Sequence, residues 1–435
     1  MTTEVNAELS PLEEIERLVQ ERARDLSLDS DQDPTTLRDL VDDTISQWSD
    51  DHKRGLRPYD LAEPRRLAER AMRNLTGYGP LAPLLADDDV WEVMINSPFE
   101  IFVKRHQGPS GYHHEVFHDD AHVLRTLTKV LEDASTAHRK LDATEGLQDA
   151  QLDDGSRLHI VHGDIGRGGH VMVNIRKFSN VVFRDLGQLV EREMMSPTVA
   201  QFLSMCVRGK ASIVFAGAPG SGKTTLMSCC CAELDPSLRV VVAEEVFEAD
   251  IPVPNVASMQ TRPARADRQA VDLRRLVSGF LRMAPDVAIV GEVRDKEALP
   301  LLLTLSSGVK GFTTIHAGSA RQALTRLRFI CQLSDNDLPM SALNTLVSEA
   351  IDLVVHCTRT PDGPRVTEVL AVEDLAGGAE ATQFTSTPVF TRETPDSPLT
   401  WTGQIPVRLE RLLRQSGLEA RSVLDQAAPA EELTR

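Results

Sequence analysis

Aromatic residues and paired cysteines are scarce in this chain of 435 residues. Aromatic side chains make up 4% of the sequence, and none of the six cysteines stands in a C-x-x-C pair. The missing pairs argue against a zinc ribbon, and three consecutive cysteines at 229–231 suit the buried face of a helix. Buried, reduced thiols in a reducing compartment are therefore expected.

Long apolar runs and an excess of positive charge are also missing. No run of 18 apolar residues occurs, and residues 1–8 lack the apolar core of a secretory signal. The 65 acidic and 47 basic residues give a net charge of −18, whereas proteins that wrap nucleic acid need basic surface. We expect a cytoplasmic protein without a direct nucleic-acid partner, although a local basic groove is compatible with this balance.

The most specific motif is the glycine-rich segment GAPGSGKTT at residues 217–225. It fits G-x-x-x-x-G-K-[ST], in which backbone N–H groups and the start of a helix surround phosphate oxygens. An apolar strand is predicted before it, at residues 212–216, and a helix after it. Lys223 is expected to reach the β- and γ-phosphates of a nucleoside triphosphate, and the Thr224 hydroxyl to ligate Mg²⁺. The predicted nucleotide-binding residues are Gly217, Gly220, Ser221, Gly222, Lys223, Thr224 and Thr225.

Alternating strands and helices around this motif predict an α/β domain with a parallel sheet covered on both faces. Five segments are expected: an acidic helical appendage at 1–58, an α+β domain at 59–180, a linker at 181–195, the α/β domain at 196–375 and a poorly ordered tail at 376–435. The appendage is either a solvated helical extension or a docking module for a partner. Within the tail, a short amphipathic helix is predicted at 407–415.

Charged side chains follow several strands of the predicted α/β domain. Glu244 and Glu245 end one strand, Glu292 follows another, and His316 follows the next. Ligands of open α/β sheets lie at the carboxyl ends of the strands, and phosphoryl transfer needs an acid to hold the metal or orient water. The three glutamates and His316 are therefore candidate catalytic residues.

Six arginines follow between residues 262 and 282. They neutralise phosphate charge in this or a neighbouring subunit, or they form a solvated helical face, which is the expectation for two of them, Arg265 and Arg268. The six are Arg262, Arg265, Arg268, Arg274, Arg275 and Arg282.

With these motifs in view, the chain resembles the type II/IV secretion-superfamily ATPases, specifically the tight-adherence (Flp) pilus assembly type of the TadA/CpaF group. Four boxes carry the resemblance: the glycine-rich motif, an acidic box around Glu244 and Glu245, LRMAPD leading into VGEVR at 290–294, and GFTTIHA at 311–317. The acidic box ends in Glu245 where the family usually has Asp, so either glutamate is a candidate.

The resemblance implies a RecA-like P-loop NTPase domain preceded by a smaller α+β domain, with ATP and Mg²⁺ as ligands. It implies that Glu292 polarises the attacking water, that Glu244 or Glu245 assists, and that His316 senses the γ-phosphate. It also suggests three arginines as neutralisers of phosphate charge, namely Arg157, Arg176 and Arg282.

For assembly, the resemblance implies a homohexamer whose ATP turnover drives inner-membrane platform proteins of a pilus or secretion system. The protein would then associate peripherally with the cytoplasmic face of the inner membrane. Two alternatives stay open. One is a type IV secretion traffic ATPase for DNA or protein export, and the other is a nucleotide-binding regulatory module with little turnover.

Overall fold

A computed structural model describes residues 10–28, 33–106, 109–134, 141–142, 144, 146–177, 183–262, 264, 268–333, 338–375, 383–392, 394 and 397–425. They fall into two compact units, an N-terminal unit within residues 1–180 and a C-terminal unit within residues 181–435. Among these residues, no helix combines the length and the apolar composition needed to cross a membrane.

The N-terminal unit begins with three amphipathic helices, α1 (Pro11–Asp25), α2 (Pro34–Lys53) and α3 (Pro64–Thr76). A capping box starts α1: the Ser10 hydroxyl accepts from the Glu13 N–H, and the Glu13 carboxylate accepts from the Ser10 N–H. Apolar side chains at helical spacing then pack into one small core. This core includes Leu12, Ile15, Val19, Leu37, Val41, Ile45, Trp48 and Ala68.

The rest of the N-terminal unit is an antiparallel sheet with helices. Its elements are α4 (Leu81–Ala86), β1 (Val90–Ser97), β2 (Glu100–Arg105), β3 (Gly111–Tyr112), α5 (Asp120–Asp133), β4 (Leu147–Gln151), β5 (Arg157–Val161), a 3-10 turn (Arg167–Gly169) and β6 (Met172–Arg176). The strand order is β3-β2-β1-β6-β5-β4. Buried and less buried residues alternate along β5 and β6, and the buried set packs with the apolar side of α5.

Helices α1 and α3 contact the rest of the unit through polar side chains. Glu16 of α1 accepts a hydrogen bond from Asn74 of α3 at 2.7 Å and pairs with His118 Nε2 at 2.9 Å. Arg73 of α3 pairs with Glu115 at 2.8 Å. The predicted appendage is therefore joined to the α+β region, and the structure does not divide them at residue 58.

The C-terminal unit is built on a nine-stranded sheet. Its strands are β7 (Ile213–Gly217), β8 (Val240–Glu244), β9 (Val256–Gln260), β10 (Val287–Val290), β11 (Lys310–Ile315), β12 (Leu353–Thr360), β13 (Gly363–Val372), β14 (Ser386–Thr391) and β15 (Thr400–Trp401). Its helices are α6 (Leu186–Glu191), α7 (Pro197–Arg208), α8 (Lys223–Cys231), α9 (Leu273–Ser278), a 3-10 turn (Phe280–Met283), α10 (Ala298–Ser306), α11 (Ala320–Gln332), α12 (Met340–Ala350), α13 (Val407–Gln415) and α14 (Arg421–Leu424).

The sheet order is β15-β14-β13-β12-β7-β11-β10-β8-β9. The strands from β12 to β9 run parallel, and β13 to β15 extend the sheet antiparallel. Every residue of β7, β8 and β10 is buried, because apolar layers cover both faces. One strand, β11, separates the strand before the glycine-rich loop from β10, and this order is the predicted RecA-like arrangement.

The described part of the expected tail is ordered, which corrects the prediction. β14 and β15 continue the sheet, and α13 spans Val407–Gln415 as the amphipathic pattern indicates. Phe390, Leu409 and Leu413 are buried in the main core. Sparse apolar residues among Gly, Pro, Thr and Ser are thus sufficient to anchor this segment, because each finds a place in a core that already exists. Residues 376–382 and 426–435 lie outside the described set.

All six cysteines are free and buried in the C-terminal unit. Burial raises the pKa of the Cys229, Cys331 and Cys357 thiols to about 12 and raises that of the other three as well. They are inert packing residues, as the sequence predicts.

Candidate active site

The glycine-rich loop joins the end of β7 to the start of α8, and its three glycines, Gly217, Gly220 and Gly222, all have a positive φ. Gly217 has φ 151°, and a Cβ there would stand 2.2 Å from the Cys357 carbonyl oxygen on β12. Gly222 has φ 85° at the position before α8. Residues with a Cβ rarely adopt these backbone conformations, which let the loop turn back over the start of the helix.

The polar groups in this loop fit a triphosphate. Ser221 is fully buried, and its Oγ has no hydrogen-bond partner among the described residues. The ammonium of Lys223, a residue only 6% exposed, donates to the Ala218 carbonyl at 2.9 Å. An unpartnered buried hydroxyl and a buried cation beside a helix N-terminus suit an anion. Thr224 and Thr225, in the first turn of α8, are partly exposed, so the Thr224 hydroxyl can reach a metal bound there.

Three more predicted site residues lie along the same edge of the sheet, which we call the carboxyl edge. Parallel pairing aligns Val290 with Ala243 on one side and with Thr313 on the other, so β8, β10 and β11 end together. Glu244, Glu292 and His316 sit at or just beyond these ends. β7, which leads into the glycine-rich loop, pairs with β11 and ends at the same edge.

Glu292 is the centre of the charge arrangement. Its Oε1 lies 2.7 Å from His316 Nε2, and its Oε2 accepts from the Arg294 guanidinium at 2.6 Å. Burial raises the pKa of Glu292, but the contacts with His316 and Arg294 outweigh it and lower the pKa to about 2. His316 Nδ1 lies 3.3 Å from Lys223 Nζ and 3.2 Å from the Gly217 carbonyl oxygen. The carboxylate is therefore linked to the loop through one histidine.

Glu244 and Glu245 have different surroundings, which the sequence could not separate. Glu244 is 2% exposed, and its Oε1 accepts from the backbone N–H groups of Glu248 and Ala249 at 3.1 and 2.9 Å. It also packs on Gly291, where a Cβ would lie 2.8 Å from the Glu244 Cγ. Glu245 is half exposed and pairs with Arg294 at 2.8 Å. Glu244 thus orders the turn after β8, whereas Glu245 contacts the partner of Glu292.

The structure does not bring all the predicted arginines to this edge. Arg282 is exposed before the amino end of β10 and donates to the Ser278 carbonyl at 3.3 Å. Arg157 and Arg176 are paired neighbours on β5 and β6 of the N-terminal unit, and a phosphate role for them stays a prediction. Arg262 donates to the Gln269 carbonyl. Arg265 lies outside the described residues, and for Arg268, Arg274 and Arg275 a phosphate role stays a prediction.

Two site residues escaped the sequence-based selection. Arg294 lies in the VGEVR segment, two residues after Glu292, and this short spacing could have indicated that the two side chains interact. Arg359, on β12, donates to the Gly220 carbonyl at 3.1 Å. Only the pairing of β12 with β7 places Arg359 beside the loop, and this pairing joins strands far apart in sequence.

The arrangement can bind a nucleoside triphosphate and hold water for its hydrolysis. The loop and Lys223 would hold phosphate oxygens, and Thr224 would hold Mg²⁺, which neutralises phosphate charge when bound. Glu292 would accept a hydrogen bond from the attacking water once His316 releases Oε1.

Comparisons with known proteins identify the family of the chain. The family model described as type II/IV secretion system protein matches residues 74–383. A putative conjugal transfer protein of Mycobacterium tuberculosis is 28% identical, over 71% of this chain and 88% of its own length. The conjugal transfer protein TrbB of Rhizobium radiobacter is 30% identical, over 67% and 87%. The VirB11 ATPase structure from the Brucella suis type IV secretion system is 26% identical and covers 67% of this chain and 94% of its own, with a TM-score of 0.36.

The matched residues include the whole glycine-rich loop and the carboxyl edge, and they make up more than half of the sequence. On this evidence the chain belongs to the type II/IV secretion system family of ATPases.

Proposed function

We propose that this protein is a Mg²⁺-dependent ATPase motor that works as a homohexamer and powers pilus assembly or protein secretion. It would act on inner-membrane platform proteins at the cytoplasmic face of the membrane, held there through those partners. One observation carries the proposal: His316 contacts both Lys223 and Glu292 at the carboxyl edge, beside the glycine-rich loop. Such a site hydrolyses a triphosphate with few additional groups.

The motor would serve one of two systems, a pilus or a type IV secretion apparatus. The resemblance of the sequence boxes to the tight-adherence group supports a pilus. The names of the relatives favour a second candidate, a type IV secretion traffic ATPase, because two of them are conjugal transfer proteins and a third, PtlH of Bordetella pertussis, is a type IV secretion system protein. Neighbouring genes separate the two: pilin and prepilin peptidase genes support the pilus, and a relaxase gene supports DNA export.

The first test is steady-state ATP hydrolysis by the purified protein with Mg²⁺, with the oligomeric mass measured on the same sample. We expect Lys223→Ala to lower the rate by about 100-fold or more, because the cation that faces the transferring phosphoryl group is lost. Lys210→Ala is the matched control, since Lys210 is an exposed lysine after α7, at the amino end of β7. Chelation of Mg²⁺ should abolish hydrolysis as well.

The same experiment distinguishes the motor from a nucleotide-binding regulatory module. Lysine-dependent hydrolysis that follows a six-subunit species supports the motor. Tight ATP binding by a monomer, with equal slow turnover in the wild type and Lys223→Ala, would contradict the motor and indicate the regulatory module.

A further inference from the structure

Five side chains form a continuous polar chain along the carboxyl edge. Consecutive members lie 3.3, 2.7, 2.6 and 2.8 Å apart, from the loop to the exposed surface. The members in order are Lys223, His316, Glu292, Arg294 and Glu245. Glu292 lies in the middle: Arg294 donates a hydrogen bond to its Oε2, and the His316 ring lies beside its Oε1.

The two sides of Glu292 differ in what holds them. His316, at Oε1, also contacts the glycine-rich loop through the Gly217 carbonyl and Lys223, so its position depends on the group that the loop binds. Arg294, at Oε2, has Glu292 and Glu245 as its side-chain partners among the described residues, and neither belongs to the loop. Its second amino group is held by Glu245.

The backbone of Arg294 is fixed as well. The carboxylate of Glu297, a residue 5% exposed, accepts from the Arg294 N–H at 2.5 Å and from the Asp295 N–H at 2.8 Å. Burial of Glu297 makes these charge-assisted bonds costly to break. The guanidinium therefore extends from an ordered turn and reaches both Glu292 and Glu245.

We propose that Arg294 is a positioning residue that fixes the Glu292 carboxylate through Oε2 and leaves Oε1 as the oxygen that passes from His316 to the attacking water. In this proposal Glu245 acts by holding Arg294. The inference rests on the proposed ATPase function and adds the residue that orients its catalytic carboxylate.

Loss of Arg294 should change the position of the Glu292 carboxylate more than the stability of the fold. Arg294 and Glu245 have side chains 44% and 48% exposed, and ion pairs with this exposure contribute little to folding. A displacement of about 1 Å in a catalytic group, in contrast, can cost up to 100-fold in rate.

The test compares kcat and KM for ATP in Arg294→Ala, Arg294→Lys and Glu245→Gln. We expect Arg294→Ala to lower kcat roughly tenfold and to leave KM within about twofold, because the loop is intact. Arg294→Lys should recover part of kcat, since one cation can still reach Oε2. Glu245→Gln should lower kcat by about threefold and should add nothing in the Arg294→Ala background, because both changes act through one guanidinium.

Arg208→Ala is the matched control. It breaks an ion pair of similar length, 2.6 Å to Glu233, at the end of α7, and we expect both kinetic constants to be unchanged. An unchanged or raised kcat in Arg294→Ala, in an enzyme whose wild type hydrolyses ATP in a Lys223-dependent manner, overturns the positioning role. Absence of Lys223-dependent hydrolysis in the wild type refutes the proposed function instead, so the two failures are distinct.

Discussion

The two units each contain a histidine–glutamate pair of nearly the same length, in different surroundings. In the C-terminal unit His316 lies 2.7 Å from Glu292, beside a glycine-rich loop at the carboxyl edge. In the N-terminal unit His118 lies 2.9 Å from Glu16, where α1 meets the sheet part, and Asn74 also binds this glutamate. The two pairs differ in what lies beside them. The glycine-rich loop beside His316 and Glu292 is the reason why we propose a catalytic role for that pair, whereas α3 and the loop before α5 surround the other pair, for which we propose a structural role.

The sheets explain why only one pair has such neighbours. Parallel strands from β12 to β9 end at one edge, so loops that are distant in sequence converge there. The antiparallel sheet of the N-terminal unit alternates its strand ends between two edges, and its described residues form no comparable set.

The largest expected difference between the pairs is in catalysis. Glu292→Gln should bind ATP as the wild type does but hydrolyse it about 100- to 1,000-fold more slowly, because an amide is a poor acceptor for the proton of water. Glu16→Gln, the matched change in the other pair, should keep the wild-type kcat. Steady-state hydrolysis and equilibrium ATP binding measure both. Equal rates for wild type and Glu292→Gln would contradict the catalytic assignment.

A second prediction concerns the stability of the N-terminal unit at acidic pH. His122 of α5 is 2% exposed, and burial, together with the nearby His118 and Arg125, lowers its pKa to about 4. Because the pKa of His122 in the folded protein lies below the ordinary value of 6.5, the unfolded chain takes up a proton at a higher pH than the folded one. The free energy of unfolding is therefore highest above pH 6.5 and falls as the pH falls towards 4. Between pH 7 and pH 5 the loss should be about 2 kcal/mol.

Urea unfolding at the two pH values measures this loss, followed by tryptophan fluorescence, to which Trp48 and Trp91 of this unit contribute. In His122→Gln the difference between the two pH values should shrink by that amount. A loss of the same size in the variant would assign the acid sensitivity to other groups.

The smallest effect is expected at the structural joint. Glu16 is 8% exposed, and Glu16→Gln keeps its shape but replaces charge-assisted bonds to His118 and Asn74 by neutral ones. The free energy of unfolding should fall by about 1 kcal/mol. The same urea experiment at pH 7 checks it, with exposed Glu21→Gln on the same helix as control.

Much of this structure was predictable from local sequence. The apolar run before Gly217 and the glycines after it specify a buried strand, a turn and a helix with few alternatives. Acids that end strands could be assigned to one edge, because parallel sheets align those ends. The resemblance to the secretion ATPases also predicted the RecA-like order of the strands.

Other features depend on distant partners and were not predictable. Nothing beside Glu16 in sequence indicates His118, 102 residues away. The different roles of Glu244 and Glu245 follow from which of them points inwards from the end of β8, and two adjacent glutamates look alike in sequence. The amphipathic period at 407–415 predicted α13, whereas β14 and β15 were not predicted, because the apolar residues between 386 and 401 are too sparse to show a period. Some of them, such as Phe390, nevertheless complete a core that other elements form.

The burial of all six thiols has a practical consequence for watching this protein move. Protonated and shielded thiols react slowly with maleimides, so the native chain already serves as an unreactive background for labelling. Cysteines introduced at the exposed positions Leu56 and Val407, one in each unit, would then accept a fluorescent donor and acceptor selectively. The distance between the units could be followed during ATP turnover without first removing a native cysteine.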